Sequence, residues 1–282
     1  MKNTPLVLNT QVAYAMIRIS RFIGLGLVCI LCFGCISSVD LRAEPGSTVA
    51  GQTTPVDFAL VEERELLITC VLSKPPVLQG VPVLKTGEPK NMPGTYHYKL
   101  WLPKGYLADS KRSWPTCFIA SPGGNAGMGK MAEWLKANGY IVVMLVESKN
   151  GPWAPIIGNF IAAHDDVVQR VRVAAGRKIA TGFSGGARAS SLFVQLRPGF
   201  GGLILQGAGA VFDDKNDYVM SSQARGLKTI MLMGNKDSNQ AEVATMKKTF
   251  RDLSVISFEG GHTWAPQSQI EQALDLVHAK RG

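Results

Sequence analysis

The sequence predicts an α/β protein: a three-layer α/β/α sandwich around a mostly parallel central sheet, with an antiparallel N-terminal edge. Three observations carry this. From Trp114 to the C-terminus, short apolar runs alternate with helix-like segments, the pattern of successive βαβ units. Those runs are solidly apolar rather than alternating, as expected of strands covered on both faces. Before Trp114 the strand-like runs follow one another without a helix between them, so they are expected to pair antiparallel at one edge.

Each element can be justified in turn. Thr95–Leu102 alternates apolar and polar residues, and Pro103-Lys104-Gly105 closes it. It follows Leu66–Leu72, a strand-like run, and a proline-rich stretch over residues 73–93 that reads as irregular loop. Trp114–Ala120 is a buried strand running into Ser121-Pro122-Gly123-Gly124-Asn125. Met128–Asn138 reads as a helix stopped by Gly139, and Tyr140–Val146 as an apolar strand. A loop carrying Pro152, Trp153 and Pro155 is expected next, then a helix over Ile161–Ala175. A strand from Lys178 and a small-residue helix to Leu196 follow. Then come strands at Gly202–Gly207, Thr229–Gly234 and Val255–Glu259, with helices over Gln240–Leu253 and Gln267–Lys280.

The 282 residues, 46% of them apolar, supply one large core, and no internal repeat is visible. The net charge of +9 is scattered, without a basic run interleaved with aromatics, so a nucleic-acid partner is not expected. Residues 1–43 read as a signal peptide or N-terminal anchor. Arg18 and Arg21 precede the short apolar run Phe22–Ile36, and Leu41-Arg42-Ala43 offers a small-residue cleavage site. An exported, periplasmic or secreted location follows. Membrane attachment through this segment is the alternative, as is lipidation at Cys35. Residues 44–60, rich in Pro, Gly, Ser and Thr, read as a flexible lead into a domain over 61–282. Of the five cysteines, only Cys70 and Cys117 lie in that domain, and two separate buried thiols are the expectation. No metal-ligand cluster, phosphate loop or dinucleotide fingerprint is present, so neither metal nor cofactor is expected.

The stretch that carries chemistry is Lys178–Ser191. It runs from a β-branched strand through Gly182-Phe183-Ser184-Gly185-Gly186 into a helix. This is G-x-S-x-G in the strand–turn–helix setting that lifts a serine to the top of a sheet. Two later strand ends offer partners. Asp237 follows Thr229–Gly234, and His262 follows Val255–Glu259 in the turn Gly260-Gly261-His262-Thr263-Trp264. A histidine would take the serine proton, and an aspartate would fix the imidazole tautomer and stabilise its charged form. Among the four histidines, His97 lies in an early strand, His164 reads as a surface or capping position at a helix start, and His278 as a surface position on the last helix. Asp213 and Asp214, after Gly202–Gly207, are the alternative acid. Asp165 and Asp166 read as caps or braces of a helix, and Arg188 as a helix-face charge. The candidate oxyanion donors are the N–H of Gly185 and that of Gly123 or Gly124, since Pro122 has none. Trp153 and Trp264 are the candidate substrate-lining aromatics.

With these residues in place, the sequence resembles the α/β-hydrolase superfamily over roughly residues 60–282. It looks nearest to secreted esterases of the polyhydroxybutyrate depolymerase, feruloyl esterase and dienelactone hydrolase type. The resemblance is carried by Tyr98–Pro103, Thr181–Ala187 and Gly260–Trp264. It implies a serine hydrolase acting on a small or polymer-linked carboxylic ester through an acyl-enzyme. A peptidase, an acyltransferase or a non-catalytic binding domain on the same fold are the alternatives. One departure is visible: relatives usually carry His-Gly at the start of the oxyanion loop, where this chain has Ser121-Pro122.

Overall fold

The first strand to form an edge is β1 (Glu65–Leu72), paired antiparallel with β2 (Gly94–Trp101). In the computed structural model, residues 60–76, 78, 88–213 and 215–279 are described. The expected signal or anchor over 1–43 lies outside them, as does all of the 44–60 lead except Leu60.

Six further strands complete one sheet: β3 (Trp114–Ala120), β4 (Ile141–Leu145), β5 (Val173–Phe183), β6 (Phe200–Gln206), β7 (Lys228–Gly234) and β8 (Leu253–Phe258). The order is β1-β2-β4-β3-β5-β6-β7-β8. β2 meets β4 antiparallel, and every later pairing is parallel. The antiparallel N-terminal edge is therefore present as the sequence implies.

Six helices cover the faces: α1 (Ala132–Ala137), α2 (Trp153–Arg170), α3 (Gly185–Leu196), α4 (Ser222–Arg225), α5 (Glu242–Thr249) and α6 (Gln267–His278). Residues of α2, α3, α4 and α5 pack with Phe118, Ala120, Val143 and Leu145 on one face. Residues of α1 and α6 pack with Cys117, Ile119, Val142 and Met144 on the other. Successive strand residues thus enter opposite layers, which is why β3 and β4 are buried along their whole length. Cys70 and Cys117 are free thiols, one in each layer.

Several boundaries differ from expectation. α2 starts at Trp153, eight residues before the predicted Ile161, with Pro152 as its N-cap and Pro155 in its first turn. A first-turn proline lacks only an N–H that has no partner there anyway, so it marks a start rather than a loop. At the other end α2 stops at Arg170, and Val173 to Arg177, read as helix and turn, begin β5. α5 spans only Glu242–Thr249, and Leu253 belongs to β8. The short α4 was not legible in the sequence. Its signal is Ser221, whose hydroxyl accepts from Ala224 N–H at 3.2 Å. No helix among the described residues is long and apolar enough to cross a membrane.

Candidate active site

The carboxyl ends of β5, β7 and β8 bring three side chains together. In a parallel sheet all such loops open on the same edge, where sites form. Ser184 sits between β5 and α3 with φ 53° and ψ −119°, a left-handed backbone rare outside glycine. Glycine on either side permits this turn. A Cβ on Gly182 would lie 2.5 Å from the Gly186 carbonyl, and one on Gly186 would lie 2.4 Å from the Ala120 carbonyl oxygen. The end of β3 therefore passes directly beneath the turn.

His262 Nε2 lies 2.9 Å from Ser184 Oγ, and His262 Nδ1 lies 3.0 Å from each carboxylate oxygen of Asp237. The Asp237 side chain is fully buried, while the imidazole stays half-exposed. Asn239 N–H donates to Asp237 Oδ1 at 2.8 Å, which holds the carboxylate in place. Asn239 thus serves the carboxylate rather than capping the next helix, and α5 begins later, after Ala241. The loops of Asp237 and His262 are tied directly: Lys236 N–H donates to Gly260 O at 2.9 Å, and Asn235 N–H to Phe258 O at 2.9 Å. The Phe183 ring supports the imidazole at 4.8 Å between centroids.

Of the alternative acids, Asp213 is not at the site. Asp213 closes a surface turn, accepting from Lys215 N–H at 2.9 Å and Asp217 N–H at 3.0 Å. Asp214 lies outside the described residues.

Gly185 and Gly123 remain candidate donors. Gly185 is the first residue of α3, where the helix offers its N–H no internal acceptor. Gly123 lines a cleft of about 400 Å³ together with Asn125, Glu147, Lys149 and Asn150. Gly124 is corrected: its N–H donates to Ser121 O at 3.0 Å and closes a turn, so it is not free to bind an oxyanion. The tryptophans do not line this cleft. Trp264 stacks on Phe183, centroids 5.3 Å apart, and Trp153 packs against the core at the start of α2. Pro152 and Pro155, on either side of Trp153, are the residues that reach the cleft wall.

Other expectations change as well. Arg188 is not a free helix-face charge: it pairs with Glu242 at 2.6 Å and donates to Ala210 O at 3.1 Å, bracing the loop after β6. His164 is not at the surface. It is buried in α2 between Asp165, 2.9 Å from Nδ1, and Lys178, 2.6 Å from Nε2. Asp165 also chelates Arg197, at 2.7 and 2.6 Å. Burial pushes His164 down to about 4 and Lys178 down to about 8. Asp166 does brace its own helix, bonding Arg170 at 2.6 Å, and also accepts from Tyr98 OH at 2.6 Å. His278 accepts a contact from Tyr140 OH at 3.1 Å against the edge of Trp134. His97 bonds Glu147 at 2.6 Å, beside the cleft. Among the described residues, no group of three or more His, Cys, Asp or Glu is arranged to hold a metal ion.

The fold is the α/β-hydrolase fold. No family model matches the chain, and no curated protein matches it. Among solved structures, it is similar to a ferulic acid esterase, at 13% identity over 76% of this chain and 98% of that one, with TM-score 0.54. It is similar to the feruloyl esterase module from Clostridium thermocellum complexed with sinapinate, at 13% identity over 75% and 87%, TM-score 0.51. A third is Est1E from Butyrivibrio proteoclasticus, at 12% identity over 66% and 94%, TM-score 0.50. At such identities the likeness is one of fold, and activity rests on the site.

Proposed function

We propose that the chain is an exported serine hydrolase that cleaves a carboxylic ester through an acyl-enzyme, with Ser184 as nucleophile. The observation that carries this is the unbroken run of hydrogen bonds from Ser184 Oγ through both nitrogens of His262 to a buried carboxylate. A serine hydroxyl is a weak nucleophile at neutral pH, and a neutral imidazole 2.9 Å away can accept its proton as attack proceeds. Asp237 fixes the tautomer by accepting from Nδ1–H and stabilises the imidazolium that forms. His262 then returns the proton to the leaving alcohol, and a water repeats the sequence to free the acid. The N–H groups of Gly185 and Gly123 would face the tetrahedral oxygen.

Ester rather than amide is the reading favoured by the names of the similar structures, two of which are feruloyl esterases. The substrate is then a small or polymer-linked ester. Export is read from residues 1–43 alone.

The test is turnover of p-nitrophenyl acetate with labelling by a fluorophosphonate probe. Wild type should hydrolyse and label, whereas Ser184→Ala should lose labelling and at least ~10³-fold in turnover. Equal turnover by the two proteins would sink the assignment. A panel of acetyl, feruloyl, hydroxybutyrate and peptide substrates then ranks the acyl group.

A further inference from the structure

We infer that Asn150 supplies a third hydrogen-bond donor to the oxygen that becomes negative during acyl transfer, an inference that rests on the serine-hydrolase reading above. Asn150 stands on the loop between β4 and α2. Its backbone N–H donates to Pro122 O at 2.8 Å, and its neighbour Lys149 bridges to Gly123. The loop is therefore fastened to the same stretch that carries the Gly123 donor. From that anchor the side chain crosses to the elbow. A Cβ on Gly185 would stand 1.7 Å from Asn150 Oδ1, 2.7 Å from Cγ and 3.2 Å from Nδ2. Only a glycine after Ser184 leaves room for the carboxamide there. The same carboxamide borders the cleft that Gly123 lines.

The chemistry of the group suits this position. A carboxamide has an acceptor end and an NH₂ end with two donors. Oδ1 rests against Gly185, with Nδ2 farther from it, and no hydrogen bond from Nδ2 is made among the described residues. When Ser184 Oγ bonds to the ester carbon, its proton passes to His262 Nε2. The π electron pair of the carbonyl moves onto the oxygen, which then offers three lone pairs. Gly185 N–H and Gly123 N–H take two, and Asn150 Nδ2–H takes the third. Such a bond is stronger to the full negative charge than to the neutral carbonyl, so it lowers the barrier rather than tightening substrate binding. The sequence of the donor loop explains the need. Pro122 has no N–H, the Gly124 N–H is held by Ser121 O and the Asn125 N–H by Val146 O, so that loop has few donors to offer.

The experiment compares wild type with Asn150→Ala, Asn150→Asp and Asn150→Leu on p-nitrophenyl acetate. Each is also tested with an aryl trifluoromethyl ketone, which forms the same oxyanion on Ser184. Asn150→Ala is expected to lose ~10- to 100-fold in kcat with KM within about threefold, and to bind the ketone more weakly by the same factor. Asn150→Asp, similar in size but without donors, should fall at least as far. Asn150 is exposed and its loop is held through the backbone, so thermal midpoints should be unchanged. If Asn150→Ala proves unstable, Asn150→Leu, of similar size and without a donor, carries the same comparison. A variant with kcat and ketone affinity within about threefold of wild type overturns the inference, as does a rise in KM alone. Active, labelled wild type beside an unaffected Asn150→Ala overturns only this inference. Wild type inert to both substrate and fluorophosphonate overturns the hydrolase reading and this with it.

Discussion

Adjacent glycines at the elbow face different neighbours, and their substitutions should separate stability from activity. On Gly186, a methyl meets the Ala120 backbone carbonyl, which cannot move without displacing β3. Gly186→Ala is expected to cost about 3 kcal/mol or more and to lower the urea midpoint sharply. On Gly185, a methyl meets the far end of the Asn150 side chain, which can swing away. Gly185→Ala should therefore keep most of its stability in urea while losing turnover. The positions of Ser184, Asp237 and His262 at strand ends were legible in the sequence because each sits where a strand meets glycine-rich or polar turn residues. Asp237 is the acid the sequence favours, with Asp213 as the alternative because both follow a strand, and the return of the chain along β8 brings His262 to Asp237. Asn150 carried no local signal. Its setting arises where the loops after β3 and β4 meet, and those strands are 20 residues apart in sequence but neighbours in the sheet. The burial of His164 was hidden for the same reason: its partners come from α2, β5 and the end of α3.

At the scale of elements, α2 and α3 are pressed together by Phe160 on Phe193, stacked at 4.1 Å between centroids, both fully buried. Phe160→Ala should cost ~3–5 kcal/mol and lower the thermal midpoint without changing KM. The same pair of helices is joined to β5 by the His164–Asp165–Lys178–Arg197 cluster, which makes stability depend on pH. His164 must stay neutral: Nδ1–H donates to Asp165, and Nε2 accepts from Lys178. Its folded pKa of about 4 lies below the ordinary 6.5, so between these values the unfolded chain binds a proton that the fold refuses. Stability from this group is complete above pH 6.5 and is lost as the pH falls toward 4, by about 3 kcal/mol at most. Lys178 has the same sign in a higher window, with stability rising between pH 8 and 10.5. Urea midpoints measured from pH 7 to 4.5 should fall, and the slope should flatten in His164→Leu. A slope unchanged by the substitution would show that other groups govern acid lability. The strands were readable from their apolar runs, and the misread helix start at Trp153 came from treating first-turn prolines as loop signals.

For the molecule as a whole, the parallel sheet gathers residues from positions 123 to 262 at one edge, so the site exists only when the sheet is complete. Loss of turnover and loss of tryptophan fluorescence in urea are expected to coincide. Residues 44–282 expressed alone should retain full turnover, and residues 1–43 fused to a reporter should carry it out of the cytoplasm. A cytoplasmic reporter would remove the export assignment. The left-handed backbone at Ser184 has one more consequence. A non-glycine residue held there costs ~1–3 kcal/mol, which glycine would not bear. Ser184→Gly is thus expected to raise the thermal midpoint while abolishing turnover. Screening for heat tolerance alone would therefore drift toward an inert scaffold.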